Sequence, residues 1–309
     1  MKRIIVTGAA GFLGSHLCDK LLERGNHVIG IDNFFRGTKS NLPTDHDNFK
    51  FFECDCLDLE TLKKIFLTIK PEIVIHYAAI NGTRYFYDIP FKVCDENIRM
   101  TQNVLACCGS YVEKIIYASS SEVYGPTPNV PTKESEPIEL FTQFARDSYA
   151  SSKAMGEFLV KLWCEANKVK HLIIRPFNTY GPRMATNGYG QVIPEFIERV
   201  ISGENFYMYG DGKQTRSFCY VTDHAYAVTE LMENADNEIV NVGFDEEITI
   251  EDLALIIHNI MGREFRAEYK AAWKNDTKWR KPSLSKLKKY IFCNNFISLE
   301  DGIIKMLNY

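Results

Sequence analysis

The chain has 309 residues, of which 45% are hydrophobic and 25% are charged, and its formal net charge is −4. This is the balance of a globular protein, and the negative sum provides no basic field for nucleic acid or an anionic membrane surface. No apolar run reaches the roughly 20 residues of a membrane helix, and the early glycines argue against a signal peptide. The nine cysteines show no zinc-ligand spacing, so we predict a cytoplasmic protein with reduced thiols and no metal.

The first half alternates short β-branched runs with amphipathic stretches, a pattern that is typical of βαβ units. The predicted strands are Arg3–Thr7, His27–Asp32, Phe49–Glu53, Ile73–Tyr77, Lys114–Ser119 and His171–Pro176. The predicted helices are Gly14–Arg24, Leu59–Ile69, Asn97–Cys108 and Tyr149–Asn167. Five to seven parallel strands with helices on both faces form an α/β doubly wound (Rossmann) sheet.

After Pro176 the pattern loosens into clusters of glycine, proline and asparagine. Two further helices are predicted at Val192–Ser202 and Asp223–Glu233, and a strand at Ile239–Val242 is expected to return to the main sheet. We therefore predict a Rossmann domain over residues 1–176 with a return segment at about 215–243, and a smaller C-terminal domain made mainly of residues 177–309.

A glycine-rich turn, Gly8-Ala9-Ala10-Gly11-Phe12-Leu13-Gly14, follows the first strand and opens a helix. Gly8 permits a tight turn, Gly11 lets the backbone approach a pyrophosphate, and Gly14 allows close contact between helix and strand. Asp32 ends the next strand, where a carboxylate accepts hydrogen bonds from both ribose hydroxyls. Its charge would repel a 2′-phosphate, which favours NAD over NADP, although Arg36 nearby weakens that preference.

Other positions after the strands are also assigned to this NAD site. Asp55 either accepts from the adenine amino group or caps a loop, and Ala78 and Ala79 either let the backbone touch the cofactor or serve packing. The remaining residues assigned to the site are Phe12, Leu13, Asn33, Cys56, Asn97 and Pro176.

A candidate catalytic group follows in the chain. Tyr149 and Lys153 are four residues apart at the start of a predicted helix, so their side chains share one face. A tyrosine pKa of about 10 is too high for a base at neutral pH, but a neighbouring ammonium and a bound pyridinium lower it. The serine turn Ser119-Ser120-Ser121-Glu122 lies at the carboxyl end of a strand, where hydroxyls face the ligand crevice. The alternative role of Tyr149 and Lys153 is that of an amphipathic surface pair, and the alternative for the serine segment is an ordinary turn without a catalytic role.

The chain resembles the extended short-chain dehydrogenases/reductases that act as nucleotide-sugar epimerases, dehydratases and decarboxylases. The resemblance rests on the glycine turn, Asp32, His76-Tyr77-Ala78-Ala79, Asn97, the serine turn, Tyr149 with Lys153, Arg175–Pro182 and Arg216–Val221. It implies that Ser120 is a catalytic hydroxyl, that Tyr149 is the base, and that Lys153 also binds the nicotinamide ribose. It further implies that NAD accepts a hydride from the sugar C4, and that two chains form a homodimer through helices Asn97–Cys108 and Tyr149–Asn167.

Three reactions can follow C4 oxidation. Dehydratases of this group usually carry Asp-Glu where this chain has Ser121-Glu122, so the acid is missing. Arg280-Lys281-Pro282-Ser283 resembles UDP-glucuronate decarboxylases, but Gln191 replaces their usual arginine. A 4-epimerase or 4-dehydrogenase needs no acid beyond the tyrosine. We predict oxidation followed by re-reduction or release, with decarboxylation as the alternative and 4,6-dehydration less favoured.

Glu122 is assigned to the catalytic group. Its alternative role is to accept a hydrogen bond from a backbone amide near the start of the helix. The nucleotide-sugar substrate is assigned to Ser121, Asn178, Arg216 and Arg280, because arginine forks suit a diphosphate. The aromatic cluster Tyr85-Phe86-Tyr87 either closes over the sugar or packs in the core. A regulatory dinucleotide sensor would not need Ser120, Tyr149 and Lys153 together, and a P-loop NTPase would need a Gly-Lys-Ser/Thr sequence that is absent.

Overall fold

A seven-stranded parallel sheet lies at the centre of the computed structural model, which describes residues 1–127, 129–184, 191–203, 205–272, 277–292 and 296–309. In chain order the strands are β1 (Arg3–Thr7), β2 (His27–Asp32), β3 (Phe49–Glu53), β4 (Ile73–His76), β5 (Lys114–Ala118), β6 (Lys170–Pro176), β7 (Thr179–Tyr180), β8 (Tyr207–Tyr209), β9 (Thr215–Ser217), β10 (Cys219–Tyr220), β11 (Glu238–Val242), β12 (Glu247–Thr249), β13 (Glu268–Lys270) and β14 (Trp279–Arg280).

The helices are α1 (Phe12–Glu23), α2 (Leu59–Ile69), α3 (Tyr85–Asp88), α4 (Pro90–Cys107), α5 (Asp147–Asn167), α6 (Val192–Ser202), α7 (Val221–Asn234), α8 (Ile250–Ile260) and α9 (Leu299–Leu307). Short 3₁₀ helices cover Lys39–Asn41, Ser121–Tyr124 and Leu287–Lys289. No helix in the described ranges combines the length and the apolar character needed to cross a membrane.

The main sheet has the order β11-β6-β5-β4-β1-β2-β3. β1 pairs in parallel with β2 on one side and with β4 on the other. Successive strands are therefore added first to one side of β1 and then to the other. β4 and β5 are buried along their whole length and read as apolar runs, as expected when helices cover both faces. A doubly wound sheet binds ligands at such a reversal, beyond the carboxyl ends of the strands.

Each face of the sheet has its own core. On one face, α1 and α7 bury Leu17 and Leu231 against the strands. On the other face, α2, α4 and α5 bury Phe66, Val104 and Val160. With helices on both faces, the large cleft of the described structure lies at the carboxyl ends of the strands.

A third core lies in the last part of the chain. There α6, α8 and α9 pack around apolar side chains that include Phe196, Leu253 and Ile303. Small sheets join this region: β12-β9-β14, β13-β8 and β10-β7. They present β9 and β14, which carry Arg216 and Arg280 at paired positions, towards the main sheet.

The predicted doubly wound α/β fold is confirmed, and strand boundaries differ from the prediction by at most one residue. β11 returns to the main sheet beside β6, as expected. The predicted helix start at Asn97 is wrong, because α4 begins at Pro90, where a proline lacking an N–H is tolerated in the first turn. The division into a cofactor domain and a substrate domain is a functional one and stays a prediction.

Candidate active site

The carboxyl ends of the strands surround one cleft of about 1250 Å³. It is lined by most of the residues selected from the sequence: Gly8, Gly11, Phe12, Leu13, Gly14, Asp32, Asn33, Asp55, Cys56, Ala78, Ala79, Ser120, Ser121, Glu122, Tyr149, Lys153, Pro176, Asn178, Arg216 and Arg280. Asn97 does not line it. Asn97 is buried behind the cleft, where its Oδ1 accepts from the Ile80 N–H at 2.7 Å and its Nδ2 donates to Ser152 Oγ at 3.1 Å.

The glycine turn forms a tight cradle at the floor of the cleft. Gly8 has φ 73°, and a Cβ there would lie 2.8 Å from the Ala78 nitrogen. A Cβ on Gly14 would lie 2.0 Å from the Gly8 carbonyl oxygen, so helix α1 approaches the turn as closely as a glycine allows. The first N–H groups of α1 then face the cleft with a partial positive charge. This geometry fits the pyrophosphate of a dinucleotide.

Asp32 and Asp55 lie beside this cradle. Asp32 accepts from the Phe34 N–H at 2.7 Å and from the Ala10 N–H at 3.0 Å, which fixes its carboxylate at the end of β2. Burial raises the pKa of Asp32, although these backbone N–H groups oppose the rise. Asp55 accepts from Asn33 Nδ2 at 2.9 Å and from the Leu57 N–H at 2.8 Å. Both carboxylates are therefore rigidly placed in the half of the cleft that suits the adenosine part of NAD.

Tyr149 and Lys153 project together from the first turns of α5 and are both almost completely buried. Lys153 Nζ donates to the Ala118 carbonyl at 2.8 Å and lies 5.8 Å from the centre of the Tyr149 ring. Burial lowers the pKa of Lys153 to about 7 and raises that of Tyr149. Ser120 and the Arg36 cation act in the opposite direction on Tyr149 and lower its pKa. Ser120 itself begins the 3₁₀ helix of the serine turn, where its Oγ accepts from the Glu122 N–H at 3.2 Å.

Glu122 is enclosed by arginines. Both nitrogens of the Arg280 fork donate to its carboxylate, one of them at 3.2 Å, and Arg146 Nη2 lies 3.4 Å away. The pKa of Glu122 is lowered to about 2, because these two cations and Arg216 outweigh the effect of burial. Glu122 is therefore a fixed anion at neutral pH and cannot donate a proton.

Residues 176–216 contribute both polar and aromatic side chains to the cleft. Asn178 has φ 35°, and its Nδ2 donates to the Ser217 carbonyl at 3.0 Å. Beyond it lie cleft residues to which the sequence assigns no role: Arg199, Tyr207, Tyr209 and Gln214. The alternation of Tyr207 and Tyr209 on a strand is the signal that could have placed both on one face. Arg199 stacks on the Tyr207 ring at 3.9 Å and donates to its carbonyl at 2.9 Å.

Arg183 is a largely buried cation of the cleft rather than a solvated one. Its Nη1 donates to Asp19 at 2.8 Å and its Nε donates to the Tyr309 hydroxyl at 3.2 Å, while only 17% of its side chain is exposed. It ties the loop after β7 to helix α1. The described part of the chain contains no group of three His, Cys, Asp or Glu side chains suited to a metal ion.

Comparisons with known proteins agree with this geometry. Residues 4–243 match the model of the NAD dependent epimerase/dehydratase family. UDP-glucuronic acid decarboxylase 1 from Arabidopsis thaliana is 35% identical over 306 residues, which cover 99% of this chain and 69% of the relative. UDP-N-acetyl-alpha-D-glucosaminuronate decarboxylase from Bacillus cytotoxicus is 32% identical over 316 residues, covering 100% and 97%. The structure of UDP-glucose 4-epimerase from Thermotoga maritima, solved with UDP-glucose, superposes with a TM-score of 0.91 at 31% identity and covers 99% of this chain and 98% of that chain.

Proposed function

Because the chain belongs to the NAD-dependent epimerase/dehydratase family, we propose that it oxidises C4 of a nucleotide sugar and returns the hydride to the same sugar, as a 4-epimerase. The observation that carries this proposal is the grouping of Tyr149, Lys153 and Ser120 beside the glycine cradle. Release of the 4-keto sugar, as in a 4-dehydrogenase, is the variant of this reaction that the experiment below also detects.

Each member of the group has a defined task in this proposal. Tyr149 accepts the proton of the C4 hydroxyl, and Ser120 hydrogen-bonds to the same oxygen and lowers the pKa of Tyr149. Lys153 stabilises the phenolate when it carries its proton, which its pKa of about 7 allows it to gain or lose near neutral pH. Bound NAD supplies the acceptor for the C4 hydride.

The charges around Glu122 favour a neutral sugar attached to a diphosphate. Arg146, Arg216 and Arg280 bring three positive charges, and Glu122 neutralises one of them, so two remain. These match the two negative charges of a nucleotide-sugar diphosphate, for which arginine forks are well suited. A uronate would bring a third negative charge, and none of these three arginines would remain to pair with it. Ser121 stands where a dehydratase acid is expected, so the usual acid for 4,6-dehydration is absent from that position.

Decarboxylation of UDP-glucuronate is a second candidate, favoured by the contact between Arg280 and Glu122. Arg280 opens the segment that resembles decarboxylases, and the Arabidopsis relative is a decarboxylase by name. After C4 oxidation such a substrate is a β-keto acid. Its C5–C6 bond breaks, carbon dioxide leaves, and a proton adds at C5. A fixed anion such as Glu122 favours this step if it lies near the substrate carboxylate, because the charge there is lost.

The test is incubation of the purified protein with UDP, GDP, dTDP and CDP hexoses and their uronates, followed by chromatography, mass spectrometry and proton NMR. A C4 epimer of unchanged mass supports the proposal, and loss of two hydrogens identifies the released 4-keto sugar. Loss of carbon dioxide establishes the second candidate instead. Loss of water, or no product from any component, contradicts the proposal.

Two variants control this experiment. Tyr149→Phe removes the base and is expected to lower turnover by at least about 100-fold. Tyr111→Phe is the matched control, because its hydroxyl donates to the Cys107 carbonyl outside the cleft and takes no part in the reaction. Equal activity of Tyr149→Phe and the unchanged protein would contradict the role given to Tyr149.

The same family resemblance leads us to propose a homodimer formed through α4 and α5. These helices pack side by side, and their outer surfaces expose large apolar side chains, among them Phe91, Phe158 and Leu162. Exposed apolar surface of this kind is typical of an interface. Sedimentation equilibrium should give twice the mass of one chain at micromolar concentration, and Phe158→Lys with Leu162→Lys should reduce it to one chain. A single-chain mass for the unchanged protein refutes the dimer.

A further inference from the structure

Helix α5 carries a third buried polar residue in line with Tyr149 and Lys153. Glu157 follows Lys153 by four residues and therefore lies on the same helix face. Only 6% of its side chain is exposed, although an ionised carboxylate is costly to bury without partners. The reaction proposed above gives Glu157 no task.

Arg175 on β6 holds this carboxylate in one orientation. Arg175 Nε donates to Glu157 Oε1 at 2.8 Å and Nη2 donates to Oε2 at 2.7 Å, a bidentate pair between two buried side chains. The Arg175 guanidinium also lies 4.7 Å from the centre of the ring of Tyr124, which ends the 3₁₀ helix Ser121–Tyr124. A buried pair of this kind often adds little net stability, but its geometry is well defined.

Glu157 in turn holds the serine turn. Ser119 Oγ donates to Glu157 Oε1 at 2.5 Å, and the preceding residue, Ala118, accepts from Lys153 Nζ at 2.8 Å. Two successive residues at the end of β5 are thus bound to two side chains of α5. The next residue is Ser120, so these contacts connect the element that carries Ser120 to the helix that carries Tyr149.

We propose that Glu157, held by Arg175, is a positioning residue that sets the Ser120 hydroxyl at its working distance from the Tyr149 phenol. The inference rests on the proposed function for its catalytic consequence, but the contact itself does not depend on the substrate. Because Ser120 lowers the pKa of Tyr149, a displaced Ser120 leaves a weaker acid at Tyr149 and a less readily formed base.

Ser119→Ala is the most selective test, because it removes one hydrogen bond and leaves the Glu157–Arg175 pair in place. We expect kcat to fall about 10- to 100-fold, the cost of misplacing a catalytic group by up to about 1 Å, with an unchanged Kd for NAD. The acidic limb of the pH profile should move to higher pH, and Ser119→Thr should restore the rate. Glu157→Gln should lower kcat further, since it also leaves Arg175 without its ionic partner.

The matched control is Glu230→Gln, which breaks a largely buried pair with Arg24 that lies outside the cleft. It should lower the melting temperature and leave kcat unchanged. A kcat for Ser119→Ala within twofold of the unchanged protein, or an equal loss of kcat in Glu230→Gln, overturns the positioning role.

Hydrogen exchange of the peptide over residues 118–124 separates this inference from the proposed function. Faster exchange in Ser119→Ala supports the contact between Ser119 and Glu157 even if no nucleotide sugar is converted, in which case the proposed function alone fails. Unchanged exchange overturns the inference whatever the activity.

Discussion

The ring of Phe86 stacks on the ring of Tyr149, with centroids 4.7 Å apart and ring planes inclined by only 13°. Phe86 belongs to the short helix α3, which follows the loop after β4, and only 4% of it is exposed. The candidate base thus lies close to Lys153 of its own helix and to an aromatic ring from a different part of the chain. The cluster Tyr85-Phe86-Tyr87 therefore contributes a buried ring directly to the site.

Phe86→Ala should weaken both stability and turnover. Removal of a buried phenylalanine lowers the free energy of unfolding by about 3–5 kcal/mol, and the Tyr149 phenol loses the surface that orients it. Urea denaturation and initial rates would measure the two effects. Phe86→Leu should recover most of the stability, while its kcat stays reduced because the flat stack is missing. Full activity in Phe86→Ala would show that the stack does not orient the base.

Glu122 should make the stability of the protein depend on pH in the acid range. Its pKa falls from 4.5 in the unfolded chain to about 2 in the folded state, because arginines surround it. The folded state therefore gains up to about 3 kcal/mol from the ionised carboxylate above pH 4.5, and this gain is lost as the pH falls from 4.5 towards 2. Urea denaturation at several pH values should show a shallower decline for Glu122→Gln, and parallel curves would contradict this account.

Asp223 should make the protein less stable as the pH rises, the opposite of the effect of Glu122 and in a higher pH range. Burial raises the pKa of this carboxyl from 3.8 to about 6, although it accepts from the Ile297 N–H at 2.8 Å. Between these values the folded state binds the proton more tightly, so the free energy of unfolding falls by up to about 3 kcal/mol as the pH rises from 4 to 6. As the pH rises from 4 to 6, the stability of Asp223→Asn should increase relative to that of the unchanged protein. A stability difference independent of pH would refute the assignment.

Asp32→Asn should change the choice of cofactor. The amide keeps the size of the side chain but removes the negative charge that would face a 2′-phosphate. We expect the affinity for NAD to fall about 10-fold, since charged hydrogen bonds contribute about 1.5–3 kcal/mol, while the affinity for NADP rises. Fluorescence titration with both cofactors measures the ratio. The exposed Asp45→Asn serves as the control with an equal change in net charge, and an unchanged ratio in Asp32→Asn would contradict the role of Asp32.

The sequence predicted those parts of the molecule whose signals are local. The strand ends were recognisable because apolar runs stop at turns such as Gly8–Gly14, and the doubly wound order then places those turns side by side. The start of α4 was missed because Pro90 was not recognised as the first residue of a helix, a position that favours proline.

Contacts that depend on the packing of distant segments were beyond such reasoning. Nothing local relates Arg175 on β6 to Glu157 on α5, or Arg183 to Asp19, because each pair forms only when separate elements are docked. The same holds for the stack of Phe86 on Tyr149. The residues that align the candidate catalytic group were therefore harder to identify than the group itself.

β11 supplies the seventh strand of the main sheet from residues 238–242, after α6, β8, β9, β10 and α7 have been added to the chain. When residues 1–176 have left the ribosome and residues 221–242 have not, one edge of β6 is unpaired and α1 lacks its cover α7. Such an edge is a template for aggregation, so we expect the growing chain to aggregate most readily before residue 242 has emerged. For the same reason, a chain cut between residues 176 and 221 should regain its fold only by complementation of the two fragments, since neither contains the whole sheet.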